Sequence, residues 1–196
     1  MTKTQDITLI SGTNRQNSNT RLFTETLYRL LKPHTENSLR ILDLGELEGV
    51  DIQNSMFDPA EQHSIIQNLQ NKYILPASKF IFIIPEYNGS YPGILKYFID
   101  ACSVRDYSAN FQNKSAFLIG VSTGRAGNLR GLDHLTSVLN YLQTHVHPVR
   151  LPVSKVTSIF DAEKLKFVDE ELLGLLHEHL LPFVNEIIPS RATQLS

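Results

Sequence analysis

The sequence predicts an α/β fold in which helices cover both faces of a parallel sheet. Short, fully apolar segments alternate with longer segments whose apolar residues recur at helical spacing. Three of the apolar segments also stop at clusters of Gly, Ser, Asn or Pro, as strands do at turns. Apolar runs without polar alternation are typical of parallel strands, because both of their faces are buried. The chain has 196 residues, 41% of them hydrophobic, which is enough for one domain with a layered core.

Five strands and the helices between them follow in order along the chain. The predicted strands are 7–10, 39–44, 80–84, 116–121 and 146–151, the last interrupted by Pro148. The predicted helices are 18–32, 60–75, 92–102, 132–142 and 170–187. Segment 39–44 alternates in polarity as an edge strand does, with Arg40 and Asp43 on its exposed side, whereas 80–84 is the most hydrophobic and is predicted to be central. This rhythm matches a flavodoxin-like three-layer sandwich with strand order 2-1-3-4-5.

Composition and charge exclude several classes of protein. Eighteen basic and twenty acidic residues give a net charge of −2 without a basic block, which argues against nucleic acid as a partner. No apolar run approaches the roughly 20 residues of a spanning helix, and no signal peptide opens the chain, so we expect no membrane partner. A single cysteine, Cys102, predicts a cytoplasmic protein without an internal disulfide. We expect one domain over 1–196, with 1–6 and 189–196 as flexible tails.

Three polar loops follow the first, third and fourth strands. In this topology they meet at the edge of the sheet where the strand order reverses, which is where such folds bind ligands. The first loop leads into a helix, whose free N–H groups and positive dipole end favour an anion. Arg15 of this loop can hold a phosphate with two parallel hydrogen bonds. By itself the loop also fits an ordinary strand-to-helix turn with a Ser or Asn cap, but the convergence of three such loops favours the phosphate site.

The same loops resemble those of the NADPH-dependent FMN reductase family. The matching segments are Ser11-Gly12-Thr13-Asn14-Arg15 with Ser18-Asn19, Pro85-Glu86-Tyr87-Asn88-Gly89-Ser90-Tyr91-Pro92-Gly93 leading to Leu95-Lys96 and Asp100, and Ser122-Thr123-Gly124-Arg125-Ala126-Gly127. The resemblance covers about 7–151, and the Pro-Glu-Tyr-Asn motif is its most specific part. It implies a flavodoxin-like fold, tightly bound FMN, hydride transfer from NAD(P)H to an acceptor such as a quinone, free flavin or azo compound, and a homodimer or homotetramer.

The resemblance assigns each loop to one part of FMN. The phosphate is assigned to Thr13, Arg15, Ser18, Asn19 and Thr20, and Ser11 is a further cofactor-binding residue of this loop. The ring edge is assigned to Pro85, Glu86, Tyr87, Asn88, Gly89 and Ser90. The backbone amides of 86–90 can face the pyrimidine end and N5 of the ring. The other side of the ring falls to Ser122, Thr123, Gly124, Arg125 and Gly127. We expect no catalytic side chain and no metal, because hydride passes directly between the two cofactors.

Several details stay open at this point. Arg125 stands where many relatives have a smaller residue. It can contact the phosphates of the nicotinamide nucleotide, stabilise the negative charge of the reduced flavin ring, or lie in solvent. Tyr87 and Tyr91 can stack on the ring or form part of a dimer contact. Within loop 45–59, the stretch 51–57 lacks the proline-rich turn of relatives, and no role for the loop follows from its residues.

Two other functions compete with the reductase. Gly120-Val121-Ser122-Thr123-Gly124 matches the G-x-S-x-G elbow of serine hydrolases, with Asp161 and His177 downstream, but the glycine-rich loop continues to Gly131 where a hydrolase needs a helix. A flavodoxin-type electron carrier has the same fold. Such carriers usually have strongly acidic surfaces and sandwich the ring between aromatic side chains, so a net charge of −2 favours the reductase.

The remaining reactive side chains are predicted to be structural. His145 and His147 can share a strand face, but no third ligand follows at zinc spacing and Pro148 interrupts the strand. Cys102 lies among Phe98 and Ile99 on a predicted helix, which favours core packing over a role as nucleophile.

Overall fold

The computed structural model describes residues 4–47, 58–60, 62–161 and 163–187. The strands are β1 Asp6–Ser11, β2 Ser38–Asp43, β3 Lys79–Pro85, β4 Ser115–Val121, β5 His145–Val146, β6 Leu151–Val153, β7 Phe160–Asp161 and β8 Lys166–Phe167. The α-helices are α1 Asn19–Leu31, α2 Ser64–Leu69, α3 Gly93–Cys102, α4 Tyr107–Phe111, α5 Leu129–Tyr141, α6 Glu170–Leu175 and α7 Leu181–Asn185. Short 3₁₀ turns lie at Lys32–His34, Leu44–Leu47 and Val156–Ser158, and π-helical turns at Gln70–Ile74 and Leu176–Leu180.

The main sheet is parallel and has the predicted order, β2-β1-β3-β4-β5, with β6 also paired to β4. This confirms the flavodoxin-like α/β fold. One apolar core lies on each face of the sheet: one contains Phe82, Leu95 and Leu135, and the other contains Leu9, Phe23 and Leu176. The carboxyl ends of β1, β3 and β4 therefore open at one edge between two packed layers.

Three predictions about the strands need correction. The segment 146–151, predicted as one interrupted strand, is two short strands, β5 and β6, separated by residues 147–150. Asp6, predicted to belong to a flexible tail, is the first residue of β1: its carbonyl accepts hydrogen bonds from Ser78, and its carboxylate pairs with Arg40 at 3.0 Å. Arg40 and Asp43 do not share one exposed side. They are three residues apart in β2 and so point to opposite faces, where Arg40 reaches the carbonyl of Lys72 and Asp43 pairs with Arg21 of α1.

Several predicted helices have different bounds. α2 begins at Ser64 rather than at 60, because His63 Nδ1 accepts a hydrogen bond from the N–H of Ile65 and caps the helix. α5 begins at Leu129, three residues before the predicted start. The last helix is interrupted by the π-helical turn, and α4 and the β7-β8 hairpin are too short to show periodicity in the sequence. Of loop 45–59, residues 48–57 lie outside the described residues.

Cys102 is fully buried in the core beside Phe98 and Ile99, as its sequence context indicated. Burial raises the pKa of its thiol, because the thiolate would lack solvation there. The thiol is therefore a packing group.

Lys79 is also fully buried, at the start of β3. Its ammonium group donates hydrogen bonds to the carbonyl oxygens of Phe183 (2.5 Å) and Glu186, and so ties the end of α7 to the sheet. Burial lowers the pKa of this ammonium to about 8. The unfolded chain, with its ordinary pKa, holds the proton more tightly, so the folded state gains stability as pH rises from about 8 toward 10.5.

We expect Lys79→Met to lower the free energy of unfolding by about 1–2 kcal/mol, because buried carbonyl oxygens lose their donor. The difference from wild type should grow between pH 8 and 10. Urea unfolding at several pH values measures it, with the exposed Lys32→Met as control. A difference that shrinks with rising pH would contradict the assignment.

Candidate functional site

The three polar loops meet in one cleft of about 510 Å³ at the carboxyl ends of β1, β3 and β4. Most of the predicted residues line it: Thr13, Arg15, Ser18, Asn19, Thr20, Pro85, Glu86, Tyr87, Asn88, Gly89, Ser122, Thr123 and Gly124. Cofactor sites typically measure about 300–1,000 Å³, so the cleft is large enough for a nucleotide. Its place at the reversal of strand order is the one that the topology predicts.

The first loop presents the N-terminus of α1 to the cleft. Ser18 caps the helix, since its Oγ accepts a hydrogen bond from the N–H of Arg21 at 3.1 Å. The capped turn and the anion site are thus compatible, because a hydroxyl that accepts one hydrogen bond can still donate its proton. The N–H groups of Asn19 and Thr20 have no partner within the helix, and no acidic residue lies in its first turn. The positive end of the helix dipole is therefore available to an anion.

Among the described residues that line the cleft, Arg15 alone has a positively charged side chain. It is exposed and makes no ion pair with any residue that the structure describes. Arg21, in the first turn of α1, is instead paired with Glu25 and Asp43. The charge of Arg15 is thus the one left for a ligand at this loop.

The second loop is a tight turn. Tyr87 and Ser90 exchange backbone hydrogen bonds of 2.9 and 3.0 Å, and Asn88 and Gly89 between them have φ values of 52° and 77°. Two successive residues with positive φ define a type I′ turn, for which Asn-Gly is the favoured pair. The N–H groups of Tyr87 and Ser90 are used by this turn, and the pairing of Pro85 with Val121 directs the N–H of Glu86 at the Val121 carbonyl. Of the predicted set, the N–H groups of Asn88 and Gly89 stay available.

A hydrogen bond of 2.8 Å between the Tyr87 hydroxyl and Thr13 Oγ1 joins the first and second loops. Tyr87 therefore lines the cleft, whereas Tyr91 is half-buried against the core and burial raises the pKa of its phenol. Ser90 lies outside the lining, with its Oγ 2.8 Å from His134 Nδ1. The two loops thus hold each other in place.

The third loop is held by its own serine. Ser122 Oγ donates to the carbonyl of Gly124 and accepts from the N–H of Gly127, each at 3.2 Å. Its backbone also bonds to Val153 and Val156. No described histidine contacts Ser122, and the ring of His177 pairs with that of His34. Since α5 starts only at Leu129, the serine-hydrolase alternative has neither its base nor its elbow.

Four predicted residues lie outside the cleft lining: Ser11, Ser90, Arg125 and Gly127. Ser11 is fully buried, and its Oγ has no hydrogen-bond partner among the described residues. Gly127 packs against β6, and Arg125 is exposed. Their roles toward a ligand stay predictions.

Three lining residues were not predicted: Asn17, Val121 and Val156. Asn17 lies between predicted residues of the first loop, and its positive φ of 52° shapes the turn before Ser18. Val121 ends a buried strand, and its apolar sequence context predicted only that it belongs to the core. Val156 lies beyond the segment that resembles the family, so no sequence pattern pointed to it.

Other reactive groups are used structurally. The ring of His147 packs on Phe117 at 4.9 Å and on Phe183 at 5.8 Å, while its Nδ1 lies 3.2 Å from the backbone nitrogen of Val149. In the described ranges no three His, Cys, Asp or Glu side chains cluster as metal ligands. No helix in the same ranges is long and apolar enough to cross a bilayer.

Comparison with known proteins decides the family. The model of the NADPH-dependent FMN reductase family matches residues 6–157. The chain belongs to this family. This reductase is also 31% identical over 147 residues to an NAD(P)H-dependent FMN reductase of Pseudomonas aeruginosa, which covers 71% of this chain and 74% of that protein. The resemblance of the three loops is thereby confirmed, together with FMN and NAD(P)H as the cofactors of the family.

Solved structures support the fold of this reductase. The flavoenzyme FerB, an NAD(P)H:(acceptor) oxidoreductase of Paracoccus denitrificans, superposes with a TM-score of 0.69 at 23% identity over 92% of this chain and 93% of its own. The apo form of an NADH:FMN oxidoreductase, EMOB, gives 0.71 at 18% identity over 97% and 94%. At these identities the likeness establishes the shared fold.

The donor set of the cleft fits FMN. A phosphate dianion matches the free N–H groups of α1 and the unpaired charge of Arg15. A flat polar ring matches the backbone of the Asn88-Gly89 turn and of Ser122–Gly124, where small residues allow close approach.

Proposed function

We propose that this reductase holds FMN in the cleft, oxidises NAD(P)H and reduces a small acceptor such as a quinone, free flavin or azo compound. The observation that carries the proposal is the convergence of an anion site at α1 with two small-residue turns in a single cleft. When bound, FMN supplies the hydride chemistry. The chain's own residues position it and shape the space beside it.

Each loop has a distinct task in this proposal. Arg15, Ser18 and the first N–H groups of α1 bind the phosphate. The N–H groups of Asn88 and Gly89 face the ring edge, where they stabilise negative charge that develops on reduction. Residues 122–124 bound the other side of the ring with little side-chain bulk, which leaves room for a second flat molecule.

Aromatic content favours a reductase over an electron carrier. Among the described residues that line the cleft, Tyr87 alone has an aromatic side chain, and its hydroxyl is hydrogen-bonded to Thr13. An electron carrier typically covers both ring faces with aromatics and has no need to admit nicotinamide. An open ring face is what stacking of NAD(P)H requires.

Anaerobic mixing with reduced nicotinamide tests the function. The purified protein, loaded with FMN, should lose its flavin absorbance within seconds of adding NADH or NADPH and regain it on adding a quinone. Assays with several acceptors and both nicotinamides then identify the preferred pair. A protein that takes up no FMN, or whose bound FMN is not reduced by either nicotinamide, would refute the proposal.

We further propose a single cytoplasmic domain that forms a homodimer or homotetramer. The resemblance to the FMN reductase family, whose members usually form dimers or tetramers, supports the oligomer. Light scattering coupled to size-exclusion chromatography tests it, and a monomer at micromolar concentration would contradict it.

Tyr87→Phe should raise the Kd for FMN by about 2- to 10-fold, because one inter-loop hydrogen bond worth roughly 0.5–1.5 kcal/mol is lost. The fold should stay unchanged, since the Tyr87–Ser90 turn uses only backbone bonds. Fluorescence titration of FMN measures the effect, and Tyr141→Phe on the exposed face of α5 is the control. Unchanged affinity in Tyr87→Phe would show that the bond does not position the loops.

A further inference from the structure

The outer side of the second loop is flanked by the first turns of α5. A Cβ atom added to Gly89 would lie 3.5 Å from Arg130 Nη1, and Ser90 Oγ lies 2.8 Å from His134 Nδ1. Arg130 and His134 are four residues apart and therefore share one face of the helix. The contact between Ser90 and His134 holds the turn against this face. The guanidinium of Arg130 is thereby kept beside Gly89, which lines the cleft.

The charge of Arg130 has no partner in the part of the chain that the structure describes. The side chain is exposed and makes neither an ion pair nor a hydrogen bond with any described residue. Asp133, the acidic residue of α5, is paired with Arg150 instead. A guanidinium presents its N–H donors in a planar fork that fits a phosphate. Arg130 is therefore available to an anionic ligand at the mouth of the cleft.

Further positive residues lie along the third loop. Arg125 follows Gly124, which lines the cleft, and Lys155 donates its backbone N–H to the carbonyl of Gly124 at 3.0 Å. Both are exposed, and neither makes an ion pair with a described residue. Among the described residues that line the cleft, Glu86 alone is acidic. The mouth of the cleft is thus more positive than the protein as a whole, whose net charge is −2.

Two phosphate-bearing molecules take part in the proposed reaction, and they place their phosphates differently. The phosphate of FMN belongs at the first loop, with Arg15 and the N-terminus of α1. Arg130 lies instead at the second loop, beside the turn that borders the ring. A nicotinamide that stacks on the ring carries its phosphates out beyond the ring, toward the mouth of the cleft. The position of Arg130 therefore matches a phosphate of the nicotinamide dinucleotide and not that of FMN.

We infer that Arg130 is a specificity-determining residue for the electron donor, because it binds a phosphate of the reduced nicotinamide dinucleotide. This phosphate is either in the pyrophosphate, which NADH and NADPH share, or the 2′-phosphate of NADPH. The inference rests on the proposed function, since it presumes that FMN occupies the cleft. Arg130 takes no part in the hydride transfer itself and acts only on the binding of the donor.

Two variants of Arg130 separate its charge from its shape. Arg130→Gln removes the charge, whereas Arg130→Lys keeps the charge and loses the planar fork. Arg29→Gln is the matched control, because it removes an exposed arginine at the far end of α1. Both arginines are exposed, so all three variants should fold as the wild type does.

Anaerobic reduction of bound FMN is measured with three donors: NADPH, NADH and N-benzyl-dihydronicotinamide, which has the same reactive ring and no phosphate. Arg130→Gln should lower kcat/KM for NADPH by about 5- to 15-fold, near the lower end for a charge-assisted hydrogen bond because the site is exposed. The benzyl donor should react as with wild type. An equal loss with NADH assigns the contact to the pyrophosphate, and an unchanged rate with NADH assigns it to the 2′-phosphate.

Binding of NADP⁺ to the FMN-loaded protein gives a readout that is independent of turnover. Calorimetric titration should show a Kd raised by a similar factor in Arg130→Gln and by less in Arg130→Lys. The difference from wild type should shrink at high salt, because an exposed charge is screened. Arg29→Gln should bind NADP⁺ as wild type does.

Three outcomes would overturn the inference. The first is unchanged NADP⁺ affinity and NADPH kinetics in Arg130→Gln, and the second is an equal loss in Arg29→Gln. The third is an equal loss with the benzyl donor, which would show that Arg130 acts on the flavin and not on a phosphate. All three leave the proposed function intact. A wild-type protein whose bound FMN none of the three donors reduces would refute the proposed function instead.

Discussion

Replacing Gly127 with Ala should lower the free energy of unfolding by about 2–5 kcal/mol, the sum of backbone strain and overpacking. Gly127 has a φ of +56°, where a side chain is strained. A Cβ atom there would lie 2.4 Å from the carbonyl carbon of Pro152 and 2.7 Å from the nitrogen of Val153. Both are backbone atoms of the β6 strand, so neither can turn aside. Urea unfolding of the flavin-free protein measures the loss.

Gly124→Ala is the matched control for this change. It lies in the same loop, but a Cβ there would be 3.9 Å from its nearest neighbour, Ser122 Oγ. Its stability should stay within about 0.5 kcal/mol of wild type. If Gly127→Ala were as stable as Gly124→Ala, the close packing of the third loop on β6 would be wrong.

Arg15→Ala should weaken FMN binding by about 10- to 150-fold, equivalent to roughly 1.5–3 kcal/mol for a lost charge-assisted hydrogen bond. The reason is that Arg15 makes no ion pair with any described residue and lies beside the free N–H groups of α1. Riboflavin lacks the phosphate, so its affinity should hardly change. The ratio of the two Kd values, measured by fluorescence titration, therefore isolates the phosphate contact.

Arg29→Ala provides the control for charge. It removes the same group from the exposed face at the other end of α1, far from the anion site. Weakening of FMN in Arg15→Ala should diminish at high salt, as expected for an exposed charge contact. An unchanged FMN-to-riboflavin ratio in Arg15→Ala would show that Arg15 does not bind the phosphate.

The strand order and the position of the cleft could be predicted from the sequence, because each depends on residue patterns that act locally. Strands such as 80–84 are apolar throughout, and a parallel sheet is the arrangement that buries both of their faces. Once the order 2-1-3-4-5 was predicted, the loops after β1, β3 and β4 had to share an edge. Loop composition then indicated the kind of ligand.

Boundaries and individual side chains were less predictable. Asp6 was predicted to lie in a tail but is the first residue of β1. The sequence around it does not indicate this, because its partner Arg40 is distant in sequence. Arg40 and Asp43 were assigned to one side of β2, although residues three apart in a strand point to opposite faces. Val156 lines the cleft only because the chain returns to the third loop after β6.

The sequence by itself determined the α/β layering, the family and the three loops that build the cleft, since apolar periodicity and turn residues act locally. Only the tertiary structure decided how those loops divide their hydrogen bonds. The Tyr87–Ser90 turn uses two of the predicted N–H donors, and the Ser122 hydroxyl forms hydrogen bonds within its own loop. The Asn128 side-chain amide donates a hydrogen bond to the carbonyl of Pro85. These partners are set by which chain segments meet in space, because a polar group removed from water must find its partner among whatever lies beside it.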